Sequence, residues 1–290
     1  MDWVIKKIIG QEIPPILKEI PQPPKFLYSV GQLPDWQKEI LLCVVGSRKY
    51  SAYGHDAIEK IILGLTGYPI TIVSGLALGI DTLAHQFALS AGLKTLAWPG
   101  SGLNPKVIYP STNYRLAEKI LIEGGCLLSE YEPNQPATLY TFPRRNRLMA
   151  GLAKATLIIE AGAKSGTLIT ARLATEYNRD VLAVPGSIFS PNSYGSNWLI
   201  KQGAIPVTSA DDVLGVLGLP STKSQITNHD FNELSPEEKI IIKLLQVEPL
   251  NKETLIRKSG LKSTQANIAL SIMEIKGLIK ETIGEIHLAI

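Results

Sequence analysis

Three short segments rich in glycine, serine and threonine follow apolar runs, and segments of this kind can bind phosphate. They are Gly46-Ser47-Arg48-Lys49, the stretch from Ser74-Gly75 to Asp81, and Gly162-Ala163-Lys164-Ser165-Gly166-Thr167. Small side chains let an anion approach the backbone N–H groups, and a helix that begins there adds the positive end of its dipole. Tight turns between a strand and a helix also need glycine for steric reasons alone, so one such segment carries little weight. Three together, two of them with a cation, favour a phosphate site.

A fourth segment places three arginines within four residues. It runs Phe142-Pro143-Arg144-Arg145-Asn146-Arg147-Leu148 and precedes a helical run, LMAGLAKA. Arginine guanidinium groups bind phosphate oxygens in pairs, and Phe142 or Tyr140 could stack on a base. The alternative is a solvated basic turn, which is common on protein surfaces. Residues 1–35 and 221–290 are each neutral, so the middle of the chain carries the whole net charge of +3, which favours the functional interpretation.

The composition and the missing motifs exclude several classes of protein. With 45% hydrophobic and 19% charged residues the chain is an ordinary globular protein, neither disordered nor a polycation. It has no GxxxxGK[ST] segment, which excludes a Walker-type ATPase, and no GxGxxG at a strand end, which weakens a dinucleotide cofactor. The four histidines have no metal-ligand spacing, and the position of His85 four residues after Asp81 indicates a local hydrogen bond on a helix.

Cysteine usage and hydropathy indicate a cellular compartment. Cys43 and Cys126 lie inside apolar runs, which is typical of buried strand residues in a reducing environment rather than of disulfides. The sequence shows no signal-peptide core and no apolar stretch that approaches the length of a membrane span. These features predict a cytoplasmic protein. Together with the missing motifs, they predict a binding protein without a cofactor, a metal ion or a catalytic centre.

The elements that must position these segments are short strands separated by helices. Six apolar runs of four to six residues follow one another: LLCVV, ITIVS, KTLAW, CLLSE, TLIIE and VLAVP. Such runs are typical of strands buried on both faces, with one helix between each pair, as in a parallel α/β sheet. We predict a doubly wound, mostly parallel, Rossmann-like α/β domain over residues 36–220. Ligands bind beyond the carboxyl ends of such strands, so the three loops should open on one edge.

The chain on either side of this domain has a different composition. Residues 1–35 are rich in proline and too short to fold alone, and we expect a short helix and an extended strap that lies on the main domain. Residues 221–231 are polar and predict a linker.

Residues 232–290 have the pattern of a small winged-helix-like domain. Ser235 and Glu238 form a capping box that opens the first of three helical segments, and an alternating run near the C-terminus predicts a β-hairpin. The third helix carries three isoleucines that we expect to be buried: Ile268, Ile272 and Ile275. The module holds nine basic and nine acidic residues in 221–290, so we expect protein contacts or weak auxiliary DNA contacts from it.

These segments, taken in order, resemble the DNA-processing protein A family, also called DprA or Smf. The matching stretches are GSRKYSAYG, SGLALGIDTLAH, FPRRNRLMAGLA, EAGAKSGTLITA, and AVPG followed by GSNWLIKQGA. The resemblance covers residues 24–215 and extends to the C-terminal module. It implies an extended Rossmann-like domain that binds single-stranded DNA without sequence specificity or catalysis, as a homodimer. It also implies that the protein protects incoming strands and helps to load the RecA recombinase in natural transformation.

The resemblance also assigns individual binding residues. It makes Arg48 a principal phosphate contact, with Arg145 or Arg147 next, together with Lys164. The full predicted site consists of Gly46, Ser47, Arg48, Ser74, Gly75, Arg145, Asn146, Arg147, Lys164, Ser165, Gly166 and Thr167. These residues lie in the same four segments that were identified above from their charge and from their position after predicted strands.

Two alternatives stay open from the sequence. A related Rossmann-like group hydrolyses nucleoside monophosphates with a Gly-Gly-x-Gly-Thr loop followed by a catalytic glutamate, but Ile169 and Thr170 stand where that glutamate would fall. Without it, acid–base help at the sugar is missing. A nucleotide-binding sensor without chemistry is the other alternative. It would saturate with one nucleotide, whereas a strand-binding protein gains affinity over several.

Overall fold

The structure, a computed structural model, describes residues 3–221, 234–245, 249–275, 278–282 and 284–288 of the chain. Contacts divide the chain into two units, Met1–Leu219 and Pro220–Ile290, which we describe separately. The predicted linker, 221–231, lies outside the described residues apart from its first residue. Within the described ranges, no helix combines the length and the apolar character that a membrane span requires.

The first unit is built on a nine-stranded, mostly parallel sheet. Its strands are β1 (Lys6–Ile9), β2 (Phe26–Gly31), β3 (Ile40–Val45), β4 (Ile70–Ser74), β5 (Lys94–Ala97), β6 (Cys126–Ser129), β7 (Ala155–Ile158), β8 (Asp180–Ala183) and β9 (Ile205–Pro206). Their spatial order is β1-β2-β6-β5-β4-β3-β7-β8-β9. The pairs β1–β2 and β2–β6 are antiparallel, and every other pair is parallel. The six predicted apolar runs form the strands β3 to β8.

Helices cover both faces of this sheet, which confirms the doubly wound fold. They are α1 (Ala52–Leu63), α2 (Ile80–Ser90), α3 (Tyr114–Ile122), α4 (Thr141–Leu152), α5 (Thr167–Glu176), α6 (Tyr194–Lys201) and α7 (Ala210–Leu217). Residues of α1, α2 and α7 share one apolar cluster with Leu42 and Val44 of β3. Residues of α4, α5 and α6 share another with the alternate residues Cys43 and Val45. Each central strand is thus buried on both faces, which explains its continuous apolarity.

The proline-rich lead-in is part of the sheet and not only a strap on its surface. It forms β1 and β2, which extend the sheet beyond β6. Between these strands, Leu17 and Ile20 are buried and lie against Gly151 of α4. The composition did not predict these two strands because prolines dominate the lead-in, although the prolines flank the strands and leave both backbone ladders intact.

The second unit has the winged-helix arrangement of three helices and a hairpin. Its elements are α8 (Pro236–Leu245), α9 (Lys252–Ser259), α10 (Ser263–Ile275), β10 (Ile279–Thr282) and β11 (Glu285–Leu288). The predicted capping box is confirmed: Ser235 N donates to Glu238 Oε2 at 2.7 Å, and Glu238 N donates to Ser235 Oγ at 3.2 Å. The unit has an apolar core of its own, drawn from all three helices and the hairpin.

The predicted buried face of α10 is wrong, because a different face of this helix is buried. Ile268 is 62% exposed and Ile272 is 42% exposed, and the side chain of Ile275 lies outside the described residues. The buried face consists of Ala266, Ala269, Leu270 and Met273. This helix has two apolar faces, and periodicity alone does not show which one packs. The face with alanines allows closer packing against neighbouring elements. The face with the β-branched residues Ile268 and Ile272 is exposed to solvent.

Both cysteines are buried in strands, as predicted. Cys43 lies in β3 and Cys126 in β6, and neither forms a disulfide. Burial raises the pKa of the Cys43 thiol to about 12, and it raises the pKa of Cys126 further. Neutral, inaccessible thiols of this kind act as small apolar side chains.

The histidine of α2 does not bond Asp81, contrary to the expected local hydrogen bond. His85 Nδ1 lies 2.7 Å from the hydroxyl of Thr95, which itself donates to Ile72 O. The proton of this pair therefore sits on Nδ1, and the other ring nitrogen, Nε2, is buried without a hydrogen-bond partner in the described structure. Burial lowers the pKa of His85 to about 3, with a further contribution from the positive charge of Arg145.

We predict that His85 makes the first unit sensitive to mild acid. The unfolded histidine takes up a proton near its ordinary pKa of 6.5, whereas the folded one stays neutral until about pH 3, so stability falls as the pH drops through this window. Between pH 6 and pH 4, the wild type should lose about 2 kcal/mol more unfolding free energy than His85→Gln. Urea unfolding followed by tryptophan fluorescence measures this, since all four tryptophans lie in the first unit. Parallel pH profiles would contradict it.

Candidate anion-binding site

A cavity of about 670 Å³ opens at the carboxyl ends of the central strands of the first unit. The loops after β3 and β7 and the beginning of α4 form most of its wall. The loops after β4 and β8 contribute Ala77 and Asn192. These segments meet because β3 pairs in parallel with both β4 and β7, and the carboxyl ends of parallel neighbours share one edge.

The wall of this cavity carries an excess of positive charge. Its lining residues include four cations, Arg48, Lys49, Arg145 and Lys164, and one carboxylate, Asp81. Arg48, Lys49 and Lys164 are exposed, so their charged ends can follow a ligand. A cavity with this balance of charge attracts anions.

The amino end of α5 adds backbone donors to the same wall. Gly166 and Thr167 begin this helix and line the cavity. The backbone N–H groups of Lys164 and Gly166 donate to none of the residues that the structure describes. Thr167 Oγ1 donates to Gly46 O at 3.1 Å and thereby ties the loop after β7 to the loop after β3. Free N–H groups at a helix amino terminus are a common binding site for phosphate.

Arg145 is a buried cation held rigidly in the floor of the cavity. It is 4% exposed, and its Nη1 donates to Gly75 O at 2.5 Å and to Trp98 O. Its Nε donates to Asn146 Oδ1 at 3.2 Å, and Nη2 donates to no residue in the described part of the chain. The guanidinium thus needs no reorganisation to meet an anion.

Asp81 is the counter-charge of this arginine. Its Oδ2 accepts a hydrogen bond from Gly75 N at 3.1 Å. Burial raises the pKa of Asp81, and the neighbouring Arg145 limits that rise. Burial likewise lowers the pKa of Arg145, which the negative charge of Asp81 opposes. The two groups stabilise each other's charged form where they line the cavity.

The turn that carries Arg48 is shaped by close backbone contacts. Ile80 N donates to Ser47 O at 3.1 Å, and Ser47 Oγ donates to Lys49 O at 2.8 Å. Gly79 has a φ of +85°, and a side chain there would overlap the carbonyl of Ser47. The guanidinium of Arg48 lies 5.5 Å from the centre of the Phe142 ring. This turn therefore presents Arg48 on an aromatic face at the cavity edge.

The structure brings nine of the twelve predicted residues to the cavity. They are Gly46, Ser47, Arg48, Arg145, Asn146, Lys164, Ser165, Gly166 and Thr167. Ser74 and Gly75 lie behind the wall: Ser74 Oγ donates to Val44 O at 2.6 Å, and the Gly75 backbone holds Arg145 and Asp81. These two residues support the site from within the protein and do not face the cavity.

Arg147, a predicted phosphate contact, does not line the cavity and bonds other parts of the protein instead. Its Nη2 bonds both carboxylate oxygens of Glu130 at 2.5 Å, and its Nη1 donates to Gln22 O of the lead-in. The reason is the phase of the helix. Arg145 and Arg147 both belong to α4, where two positions differ by about 200° around the axis. One arginine therefore faces the cavity and the other faces the lead-in.

The predicted site left out four polar residues of the wall: Lys49, Asp81, Thr170 and Asn192. Lys49 directly follows Arg48, and Asn192 follows the predicted strand VLAVP, whose carboxyl end lies on the same edge. Position after a strand, which had already singled out the segment that contains Lys49, would also have found Asn192. Asp81 ends the segment after ITIVS that the sequence singled out, but its role as the counter-charge of Arg145 depends on the burial of that arginine.

One group of three metal-ligand types occurs elsewhere in the described residues. Atoms of His55, Asp56 and Glu59 lie within 4.8 Å of one another on α1. His55 Nδ1 is already 3.1 Å from an oxygen of Asp56. Partly exposed acidic groups on a helix commonly cluster in this way without an ion, and none of the three lines the anion cavity.

Comparison with known sequences gives matches to both units. A family model described as DNA recombination-mediator protein A matches residues 6–218, and a DprA winged helix domain matches residues 229–284. Protein Smf of Escherichia coli K12 is 47% identical over 173 residues, which cover 60% of this chain and 46% of that protein. DNA processing protein DprA of Streptococcus pneumoniae R6 is 46% identical over 198 residues, 68% of each chain. The matched region thus spans about half of the E. coli protein and two thirds of the pneumococcal one.

Two solved structures are similar to this fold. The X-ray structure of DNA processing protein A from Streptococcus pneumoniae has a TM-score of 0.68 and 42% identity, and the match covers 74% of each chain. DNA processing protein A from Helicobacter pylori has a TM-score of 0.66 and 29% identity over 73% of this chain and 95% of that one. The latter structure is described for its single-stranded DNA binding mode.

We predict that Arg147 stabilises the fold through its ion pair with Glu130. Arg147→Met should lower the free energy of unfolding by about 3 kcal/mol, because it leaves a mostly buried carboxylate without its partner. Arg144→Met, on an exposed position of the same helix, is the matched control and should change stability by less than about 0.5 kcal/mol. Urea unfolding of the two variants measures the difference, and equal stabilities would show that the pair contributes nothing.

Proposed function

Because this chain belongs to the DNA recombination-mediator protein A family, we propose that it binds single-stranded DNA through the anion cavity of its first unit. The observation that carries the proposal is that four cations and the amino end of α5 line one open cavity. The similar H. pylori protein, described for its single-stranded DNA binding mode, supports the choice of ligand.

The strand binds mainly through its phosphates. Arg48 and Lys164 meet phosphates at the rim, while Arg145 supplies fixed positive charge from the floor. The backbone N–H groups at the start of α5 complete the contact. Aromatic rings lie close by, since Phe142 lines the cavity and Tyr140 is exposed beside it, and either can stack on a base of any identity. Binding of this kind depends little on sequence and weakens as salt is added.

We further propose a stoichiometric role in the cytoplasm. The protein protects incoming strands and helps to load the RecA recombinase during natural transformation or recombination, as a homodimer. The family match supports DNA processing, and a dimer would join two strand-binding surfaces and raise the affinity for long strands. No catalytic step enters this proposal. Asp81, the carboxylate of the cavity wall, is buried and engaged with the Gly75 N–H, and Ile169 and Thr170 occupy the wall where a hydrolase would need glutamate.

We predict that Arg48→Ala weakens single-strand binding by about 1–3 kcal/mol, which is about 5- to 150-fold. The slope of log affinity against log salt should also fall by about 0.7, as expected when one phosphate contact is lost. Fluorescence anisotropy with single-stranded DNA, duplex DNA and a mononucleotide at two salt concentrations measures both effects.

Arg115→Ala is the matched control for this experiment, because Arg115 is exposed on α3 and does not line the cavity. It should bind like the wild type. Indistinguishable binding by Arg48→Ala and Arg115→Ala would remove Arg48 from the site. Tight binding of the mononucleotide, without further gain for longer strands, would instead favour the nucleotide-sensor alternative.

We predict that the second unit is dispensable for single-strand binding. The first unit has apolar clusters of its own, and the net-neutral C-terminal module releases few counterions from DNA. Deletion of residues 225–290 should therefore leave the affinity for single-stranded DNA within about threefold of the full chain. The same anisotropy titration measures this. Loss of binding by the truncated protein, with its thermal unfolding intact, would assign the DNA contact to the second unit.

A further inference from the structure

Tyr109, in the loop after β5, lies next to a residue of the anion cavity and takes no part in the core. It belongs to none of the apolar clusters that the described residues of the first unit form. It is 50% exposed, and its hydroxyl forms none of the hydrogen bonds found among the described residues. Its ring contacts that of Phe142, with the two ring centres 5.7 Å apart and the planes at 47°. A large part of Tyr109 is therefore open to a ligand.

Phe142 connects Tyr109 to the phosphate-binding residues. It lines the anion cavity, and the guanidinium of Arg48 lies 5.5 Å from the centre of its ring. Gly100 packs against the same ring, and any side chain at that position would overlap it. These contacts hold the ring in place. A cation and two aromatic rings thus follow one another along the cavity edge, in the order Arg48, Phe142 and Tyr109.

A small cavity of about 30 Å³ marks the place where these residues meet. Arg48, Ala77 and Phe142 line both this cavity and the anion cavity, and Leu78 and Tyr109 line the small one only. Its volume suffices for a water molecule but not for a base. Leu78 is 49% exposed, so it forms an apolar surface together with the half-exposed ring of Tyr109. A base can lie on this surface, although it cannot enter the small cavity.

The order of the strands places this surface on a line with the phosphate-binding loops. The strands β7, β3, β4 and β5 are neighbours in that order, and the loops after them carry Lys164, Arg48, Leu78 and Tyr109. Three strand spacings make about 14 Å, which is the length of about four nucleotides at the spacing of stacked bases. On the side of β8, the wall of the anion cavity has Asn192 and no aromatic ring. The side of β5 is therefore the one that offers rings to the bases.

We propose that Tyr109 stacks on a base of the single strand, and that the strand leaves the anion cavity over Arg48 and Phe142 toward the loop after β5. The two rings are in direct contact, so the base lies on the exposed face of Tyr109 and not between them. Stacking of this kind accepts any base. This inference rests on the proposed function, since the cavity must hold the phosphates before a base can reach the ring.

The test uses the full chain and two 12-nucleotide strands in anisotropy titrations: an oligothymidylate and a strand of abasic tetrahydrofuran nucleotides with the same phosphates. The wild type should bind the oligothymidylate more tightly than the abasic strand. Tyr109→Leu should weaken binding of the oligothymidylate about tenfold, because the stacking ring is lost. Tyr109→Phe keeps the ring and should retain the affinity of the wild type. All three proteins should bind the abasic strand equally.

Ile122→Ser is the matched control, since it removes an exposed apolar side chain of α3 that lines neither cavity. It should bind both strands like the wild type. Failure of the wild type to bind the oligothymidylate would overturn the proposed function itself. Normal binding of that strand, with equal affinities of the wild type and Tyr109→Leu, would overturn only the role of Tyr109.

The remaining outcomes separate stacking from other roles of this side chain. An equal loss of affinity for the abasic strand in Tyr109→Leu would contradict a contact with a base. An equal loss in Tyr109→Phe would assign the contact to the hydroxyl and not to the ring. The comparison of the two strands with the wild type needs no variant, and equal affinities there would contradict stacking at any ring.

Discussion

The guanidinium of Arg145, bonded to the backbone carbonyls of Gly75 and Trp98, is the contact on which the site depends. It joins α4, on one face of the sheet, to the carboxyl ends of β4 and β5. A buried guanidinium is tolerated only where oxygen atoms surround it, and here two carbonyls and the nearby Asp81 do so. Gly75 is required at this point because any side chain would overlap the arginine. The floor of the cavity, its charge and the placement of α4 follow from this one arrangement.

Much of this architecture could be predicted from the sequence because it follows from burial. The central strands are apolar throughout, as both of their faces are covered, and parallel strands bring their following loops to one edge. That rule places the turn of Arg48 beside the loop of Lys164 without knowledge of any contact. The resemblance to a known family added the residue assignments, and the geometry brings most of them together.

The parts that could not be predicted depend on phase and on long-range partners. The sequence alone does not distinguish Arg145 from Arg147. On α4 they face nearly opposite directions, Arg145 toward the cavity and Arg147 toward Glu130. Likewise, Ile268 and Ile272 lie on the exposed one of two apolar faces of α10, and only packing against the other helices selects the buried face. Asp81 and Glu160 have partners that are distant in the chain, Arg145 and Ser51 respectively. Local sequence patterns do not show which residues will become such partners.

The position of β1 and β2 in the sheet affects the order in which the first unit can fold during synthesis. Strand β2 pairs with β6, and Tyr28 lies opposite Ser129, about a hundred residues later in the sequence. Contacts of such long sequence separation form slowly because a large loop must close first. During synthesis, the pair of β1 and β2 therefore cannot join the parallel strands of the sheet until β6 has emerged. The strands β1 and β2 thus precede β3 to β6 in the chain but are placed only after β6, and they extend the sheet edge that the intervening strands have built.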